Sequence, residues 1–184
     1  MSSILKVDQL QDSGGNNLVT SNGSGVITAA GFGKVGQVVS TSKTDVFSST
    51  STGSFIDITG LSLNITPSST SSKILILFSV QGGASAANYA NLRLVRDSTA
   101  IGVGDADGSR LQSTTGFRIT VTASQNTFSN QFLDSPSSTS ALTYKLQVYN
   151  NTSGTITVNS SYADSNSASQ GRNISTITAM EILP

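Results

Sequence analysis

In the apolar run at residues 73–80 (Lys-Ile-Leu-Ile-Leu-Phe-Ser-Val), bounded by Pro67 and a Ser/Thr stretch before it and Gly82-Gly83 after it, length and β-branched and aromatic content predict a strand. Successive side chains on a strand point to opposite faces, which groups Ile74, Ile76, Phe78 and Val80 against Leu75, Leu77 and Ser79. Both faces are therefore largely apolar, whereas an antiparallel sheet with one wet face would show one polar set. The second face needs a cover, either another layer of the same chain or a second copy. With no helix predicted anywhere, the expectation is a second copy.

The same alternation organises the rest of the chain. Residues 1–36 form an arm of short extended pieces, at 4–10, 18–20 and 26–27, separated by Asn/Gly turns. Its apolar residues are too few for a core of their own. Such a segment docks onto something larger, with Ile4, Leu5, Val7 and Leu10 as the docking candidates. From residue 37 the strands lengthen. They are expected at 38–39, 54–59, 61–65, 73–80, 91–96, 100–103, 117–121, 126–133, 142–149, 155–158 and 174–183, with a hairpin turn at Arg96-Asp97-Ser98-Thr99 and loops between. In the last strand Ile174, Met180 and Ile182 fall on one face and Ile177, Ala179 and Leu183 on the other, so again both faces are largely apolar. Strands at this spacing predict an all-β fold, an antiparallel β-sandwich of the jelly-roll kind over residues 37–184, behind the extended arm. Leu75, Leu77, Ile177 and Leu183 are the expected oligomer interface, and symmetric closure points to a ring, which we take as a trimer.

Composition narrows the function. The chain is 36% hydrophobic but only 11% charged, with 17 Gly and about three residues in ten Ser or Thr, a mixture that favours strands and turns over helix. Ten basic and ten acidic residues cancel, so no net field attracts nucleic acid or an anionic membrane. The 184 residues include no cysteine, which excludes disulfides and thiolate metal sites. No run reaches membrane-spanning length, and residues 1–10 lack the basic start and apolar centre of a secretory leader.

Catalytic chemistry is sparse. Histidine is absent, removing the usual general base and the commonest metal ligand. Asp105 and Asp107 are the closest carboxylate pair for a glycan depolymerase, and Asp-Ala-Asp-Gly resembles part of a calcium loop. Glu181 is the sole Glu and lies too far along the chain to complete one. Both features read as a solvated Gly-rich turn, so no enzyme, cofactor or metal is expected. The run Gly31-Phe32-Gly33-Lys34-Val35-Gly36 spells a dinucleotide fingerprint, but a strand-like stretch follows where a helix is needed. Ser40-Thr41-Ser42-Lys43 lacks the partner motifs of acyl-transfer enzymes. Tyr89, Tyr149 and Tyr162, set among Asn, Ser and Thr, are the candidate glycan contacts, through ring stacking and hydrogen bonds to hydroxyls. The alternative for each is a strand-end tyrosine packed half-buried.

Several stretches carry a resemblance. The opening Ser3-Ile4-Leu5-Lys6-Val7-Asp8-Gln9-Leu10 resembles the start of small virion proteins of marine tailed bacteriophages. The runs Ile58-Thr59-Gly60-Leu61-Ser62-Leu63-Asn64-Ile65 and Arg93-Leu94-Val95-Arg96-Asp97-Ser98-Thr99 are similar to the head domain of the same proteins, as is the ending Ile177-Thr178-Ala179-Met180-Glu181-Ile182. These proteins are commonly described as tail fibre or fibre-like. The resemblance implies a trimeric C1q-like or TNF-like head on an attachment arm, assembled in the host cytoplasm and carried on the virion. It implies tail or capsid proteins as partners, and a bacterial surface glycan as a further one. A chain with so little shaft fits capsid decoration or a head fibre as the alternative to a tail appendage.

Overall fold

The computed structural model describes residues 9–21, 23, 27–29, 35–85 and 88–184, with backbone alone at 27–29 and at 117. The docking candidates Ile4, Leu5 and Val7, and residues 31–34 of the fingerprint-like run, lie outside the described residues. The chain divides into two units, Met1–Lys34 and Val35–Pro184.

In the first unit β1 (Gln9–Gln11), β2 (Asn17–Ser21) and β3 (Ile27–Ala29) form a three-stranded antiparallel sheet. Asp12 closes the first hairpin, its Oδ1 accepting from the backbone N–H of Gly14 (2.8 Å) and of Asn16 (2.9 Å). This is the side-chain mimicry of a turn that makes Asp common there. Leu10 and Leu18 are exposed.

The second unit holds eleven strands among the described residues: β4 (Val35–Lys43), β5 (Phe47–Ser49), β6 (Phe55–Ile65), β7 (Lys73–Ala84), β8 (Asn88–Arg96), β9 (Thr99–Ile101), β10 (Thr115–Ile119), β11 (Asn126–Asp134), β12 (Leu142–Asn150), β13 (Ile156–Val158) and β14 (Ser175–Ile182). Every pairing is antiparallel. One edge of β7 is paired by β11, and the other by β14 and then β13, because Gly82 faces Asn126 on one side and Val158 on the other. β4 and β5 pair β14 and β13 in the same order, while β9 and β10 share one edge of β8. Each sheet is thus four lanes wide. One runs β4/β5, β14/β13, β7, β11 and the other β6, β12, β8, β9/β10, which is the jelly-roll arrangement of alternate strands in opposite layers.

The core is the space between these layers. Ile74, Ile76, Phe78 and Val80 of β7 meet Leu92 and Leu94 of β8, Leu61, Leu63 and Ile65 of β6, and Tyr144, Leu146 and Val148 of β12, all buried. In β6, β8 and β12 alternation with polar neighbours names the inward set directly, whereas β7, apolar on both faces, has its inward set chosen by the opposing layer. Asp134, at the end of β11, joins the sheets. Its carboxylate accepts from Arg96 Nη1 (2.7 and 2.8 Å) and from the Tyr144 hydroxyl (2.6 Å). Burial first, and then the Asp134 carboxylate, hold the Tyr144 phenol protonated well above its ordinary range.

Four strands depart most from the sequence expectation. The two strands expected at 54–59 and 61–65 are one, β6. Gly60, at φ 87°, lets the chain run on where the β12 ladder shifts register between Lys145 and Gln147, the conformation glycine adopts without steric cost. β7 continues through Gly82-Gly83 rather than stopping there. A Cβ on Gly83 would lie 2.6 Å from Ser160 O and from Thr157 Oγ1, so glycine is required by the close approach of β13 and the residues just after it rather than by a turn. β5, in a stretch read as loop, forms only because β13 lies alongside it. Conversely, β10 ends at Ile119, and Val121 lies beyond it, 54% exposed.

Candidate functional site

Antiparallel partners share a sheet face, so register decides which outward side chains meet. On the outer face of the β4/β14/β7/β11 sheet, Met180 lies opposite Val38 on one side and Leu75 on the other, and Leu75 lies opposite Leu133. Four strands therefore contribute one straight row, Val38, Met180, Leu75 and Leu133. Val38 is 54% and Leu133 46% exposed, while Leu75 and Met180 are half-buried. The next row is Ser40, Thr178, Leu77 and Gln131, where Ser40 and Thr178 hydroxyls bond at 2.8 Å. Beyond it come Ser42, Thr176, Ser79 and Ser129. The face is apolar at one end and hydroxyl-coated at the other.

Two of the four expected interface residues fall on this face and two do not. Leu75 and Leu77 point outward. Ile177 is 0% exposed and belongs to the core, because the layer of β6 and β12 covers that side of β14. Leu183 lies past the end of β14 and packs over Gly36, whose Cβ position is 2.9 Å from Leu183 Cδ2. The outward apolar set of β14 is instead Met180 and Ile182.

The outer face of the other sheet is built from aromatic, amide and charged side chains. Arg118 of β10 lies opposite Tyr89 of β8, its guanidinium carbon 5.1 Å from the ring centroid. One row along come Gly116, Asn91 and Tyr149, with Phe55 beyond, and the Phe55 and Tyr149 rings are 5.3 Å apart. The row after that holds Arg93, Gln147 and Asp57. Arg93 stacks 4.0 Å over Phe55 and donates to Gln147 Oε1 (2.7 Å). Asp57 accepts from Lys145 (2.8 Å) and Gln147 (2.6 Å). Burial opposes ionisation of Asp57, but the Lys145 and Gln147 hydrogen bonds outweigh it and its pKa is lowered.

This face unites Tyr89 and Tyr149, two of the three candidate glycan contacts. Tyr162 belongs elsewhere, to the loop at 159–174 beside Thr122. Phe55, Asn91, Arg93 and Arg118 were not singled out from the sequence. Their outward parity was legible at 91 and 93, but their adjacency depends on the β6–β12–β8–β10 register.

Asp107 pairs with Arg110 at 2.5 Å, both exposed. Among the described residues no group of three or more acidic, His or Cys side chains is placed to hold a metal ion, and no helix is long and apolar enough to cross a membrane.

No protein-family model matches the chain, and no curated protein matches it. Among solved structures it is similar to that of infectious bursal disease virus Gx strain, at 13% identity and TM-score 0.45 over 87% of this chain and 41% of that one. It is similar to the T13 viral particle of infectious bursal disease virus (11%, TM-score 0.42, covering 88% and 42%) and to the VP2 subviral particle of that virus (14%, TM-score 0.39, covering 87% and 41%). The chain spans about two fifths of the length of these chains.

Proposed function

We propose that this chain is a non-enzymatic structural component of a bacteriophage virion, a short fibre-like appendage. In this reading its head associates as a homotrimer through the outer face of the β4/β14/β7/β11 sheet, and its N-terminal unit attaches to the particle. The observation that carries the proposal is the Val38–Met180–Leu75–Leu133 row. Four apolar side chains in register across a whole sheet would be left to solvent on an isolated subunit, and neighbouring copies closed into a ring would cover them. The number three comes from the resemblance to small virion proteins.

The aromatic and amide face on the opposite sheet supports a further part of the proposal, that the head meets a bacterial surface glycan. A trimer formed through one sheet leaves the other turned away from its neighbours, available to the exterior.

Sedimentation equilibrium of the full chain at micromolar concentration tests the assembly, with a mass of three chains expected. A mass of one chain would overturn it. Labelled particles viewed by electron microscopy then test placement: fibre-like appendages are few and confined to one part of the particle, whereas copies spread over the whole capsid lattice would favour a decoration role.

A further inference from the structure

On the outer face of β8, two open hollows flank the exposed Tyr89 ring. The first, about 290 Å³, is lined by Tyr89, Ala90, Asn91, Gly116 and Arg118. The second, about 430 Å³, shares Tyr89 and Asn91 and adds Ser109, Arg110, Leu111 and Asn151. Gly116 keeps the first open, since a Cβ there would come within 2.6 Å of Asn91 Oδ1. Tyr89 is 49% and Leu111 40% exposed, which gives an apolar ridge beside amides and hydroxyls.

Charge is what distinguishes the site. On this face Asp57 is engaged by Lys145 and Gln147, and Arg110 is paired with Asp107. Arg118, by contrast, has no carboxylate partner among the described residues and is held against the Tyr89 ring. A guanidinium positioned by an aromatic ring presents a planar fork of donors suited to a carboxylate or sulfate.

We infer that this site binds an acidic saccharide, a pyranose carrying a carboxylate or sulfate. Its apolar ring face stacks on Tyr89 and Leu111, its hydroxyls bond to Asn91, Asn151 and Ser109, and its anionic group meets Arg118. The inference rests on the glycan-facing part of the proposed function and gives it a chemical class and a location.

Calorimetric titration of the full chain with trigalacturonate, a sulfated trisaccharide and maltotriose tests it. The better of the two acidic probes is expected to bind about tenfold more tightly than maltotriose, and which one it is identifies the anionic group. Tyr89→Ala is expected to weaken every probe about tenfold, while Tyr89→Phe retains binding. Arg118→Gln is expected to bring the acidic probe down to the maltotriose level and leave maltotriose unchanged. Both side chains lie on the wet face, and an unchanged circular dichroism spectrum verifies folding of each variant. Binding that ignores charge, or that survives both Tyr89→Ala and Arg118→Gln, overturns this inference and leaves the broader glycan reading standing. Absence of binding to all three probes overturns both.

Discussion

Ser175, at the start of β14, donates a 2.6 Å hydrogen bond to Oδ1 of Asn159, which lies sixteen residues earlier, just past the end of β13. The bond rejoins two halves of one lane of the sheet across the loop that separates them. The Asn159 amide nitrogen donates to the carbonyls of Lys43 (2.7 Å) and Asp45 (3.0 Å), where β4 gives way to β5, and its backbone N–H donates to Gln81 O (2.8 Å). Ser175 Oγ in turn accepts from Gln81 N (3.0 Å). One buried side chain thus replaces the missing ladder between three strands.

Asn159→Ala should therefore destabilise the fold by about 2–4 kcal/mol, because it leaves the buried Lys43 carbonyl and the Ser175 hydroxyl without their partner. Asn159 has φ 68°, a region unfavourable to alanine but open to glycine. Asn159→Gly should accordingly lose about 1 kcal/mol less. Urea denaturation of the three proteins measures both differences, and equal losses for Ala and Gly would remove the backbone part of the argument.

The apolar row predicts a clean separation of assembly from folding. Met180→Lys places a charge at its centre, between Val38 and Leu75, on a face that a single subunit leaves to solvent. The variant should sediment as one chain while keeping the β-sheet circular dichroism spectrum of the parent. Thr176→Lys, at the hydroxyl-coated end, should perturb assembly less. A variant that unfolds instead would place Met180 in the core.

The Asp134 clamp predicts non-additive losses. Arg96→Leu strands a carboxylate that is largely buried (Asp134 8%, Arg96 25% side-chain exposure) and should cost about 3 kcal/mol. Tyr144→Phe removes one hydrogen bond to the same group and should cost about 1–2 kcal/mol. Because both donate to Asp134, the double variant should differ from the sum by more than about 0.5 kcal/mol. Thermal denaturation of the four proteins closes the cycle.

Glu181 predicts the acid limit of the fold. Its carboxylate, 1% exposed, accepts from Gln37 Nε2 (2.7 Å) and from the backbone N–H (2.6 Å) and hydroxyl (2.7 Å) of Ser68. The buried Ser72 hydroxyl, without a partner at full hydrogen-bond geometry among the described residues, lies close enough to Glu181 to add to this. Burial alone would raise the pKa, but these hydrogen bonds dominate and hold it at about 2 against an ordinary 4.5. A carboxylate depressed on folding stabilises fully above its unfolded pKa, and that stability drains away as the pH falls towards the folded value. The melting temperature should therefore fall between pH 4.5 and 2, and Glu181→Gln should flatten that slope while lowering stability at neutral pH.

What each strand does on its own was readable from the residues. Leu142, Tyr144, Leu146 and Val148 alternate with polar neighbours and are all buried, and β7 showed its two apolar sides in the same way. Alternation is local, fixed by the two-residue repeat of the extended chain. It separates the faces of a strand but does not say which face turns inward when both are apolar. For β14 that choice went to Ile177 and Ala179, leaving Met180 and Ile182 outside, because an opposing layer stands on that side alone.

Neighbours across strands were beyond the sequence. Val38, Met180, Leu75 and Leu133 come from four distant segments, and so do Phe55, Tyr149, Asn91 and Arg118. Ladder hydrogen bonds between backbones are nearly blind to side-chain identity, so register is set by the packing of the entire sandwich. The sequence by itself determined an all-β chain, the inward and outward sets of most strands, and the lack of histidine- or cysteine-based chemistry. Only the tertiary structure decided which outward side chains stand together, and so where an apolar row and an aromatic, arginine-bearing face arise.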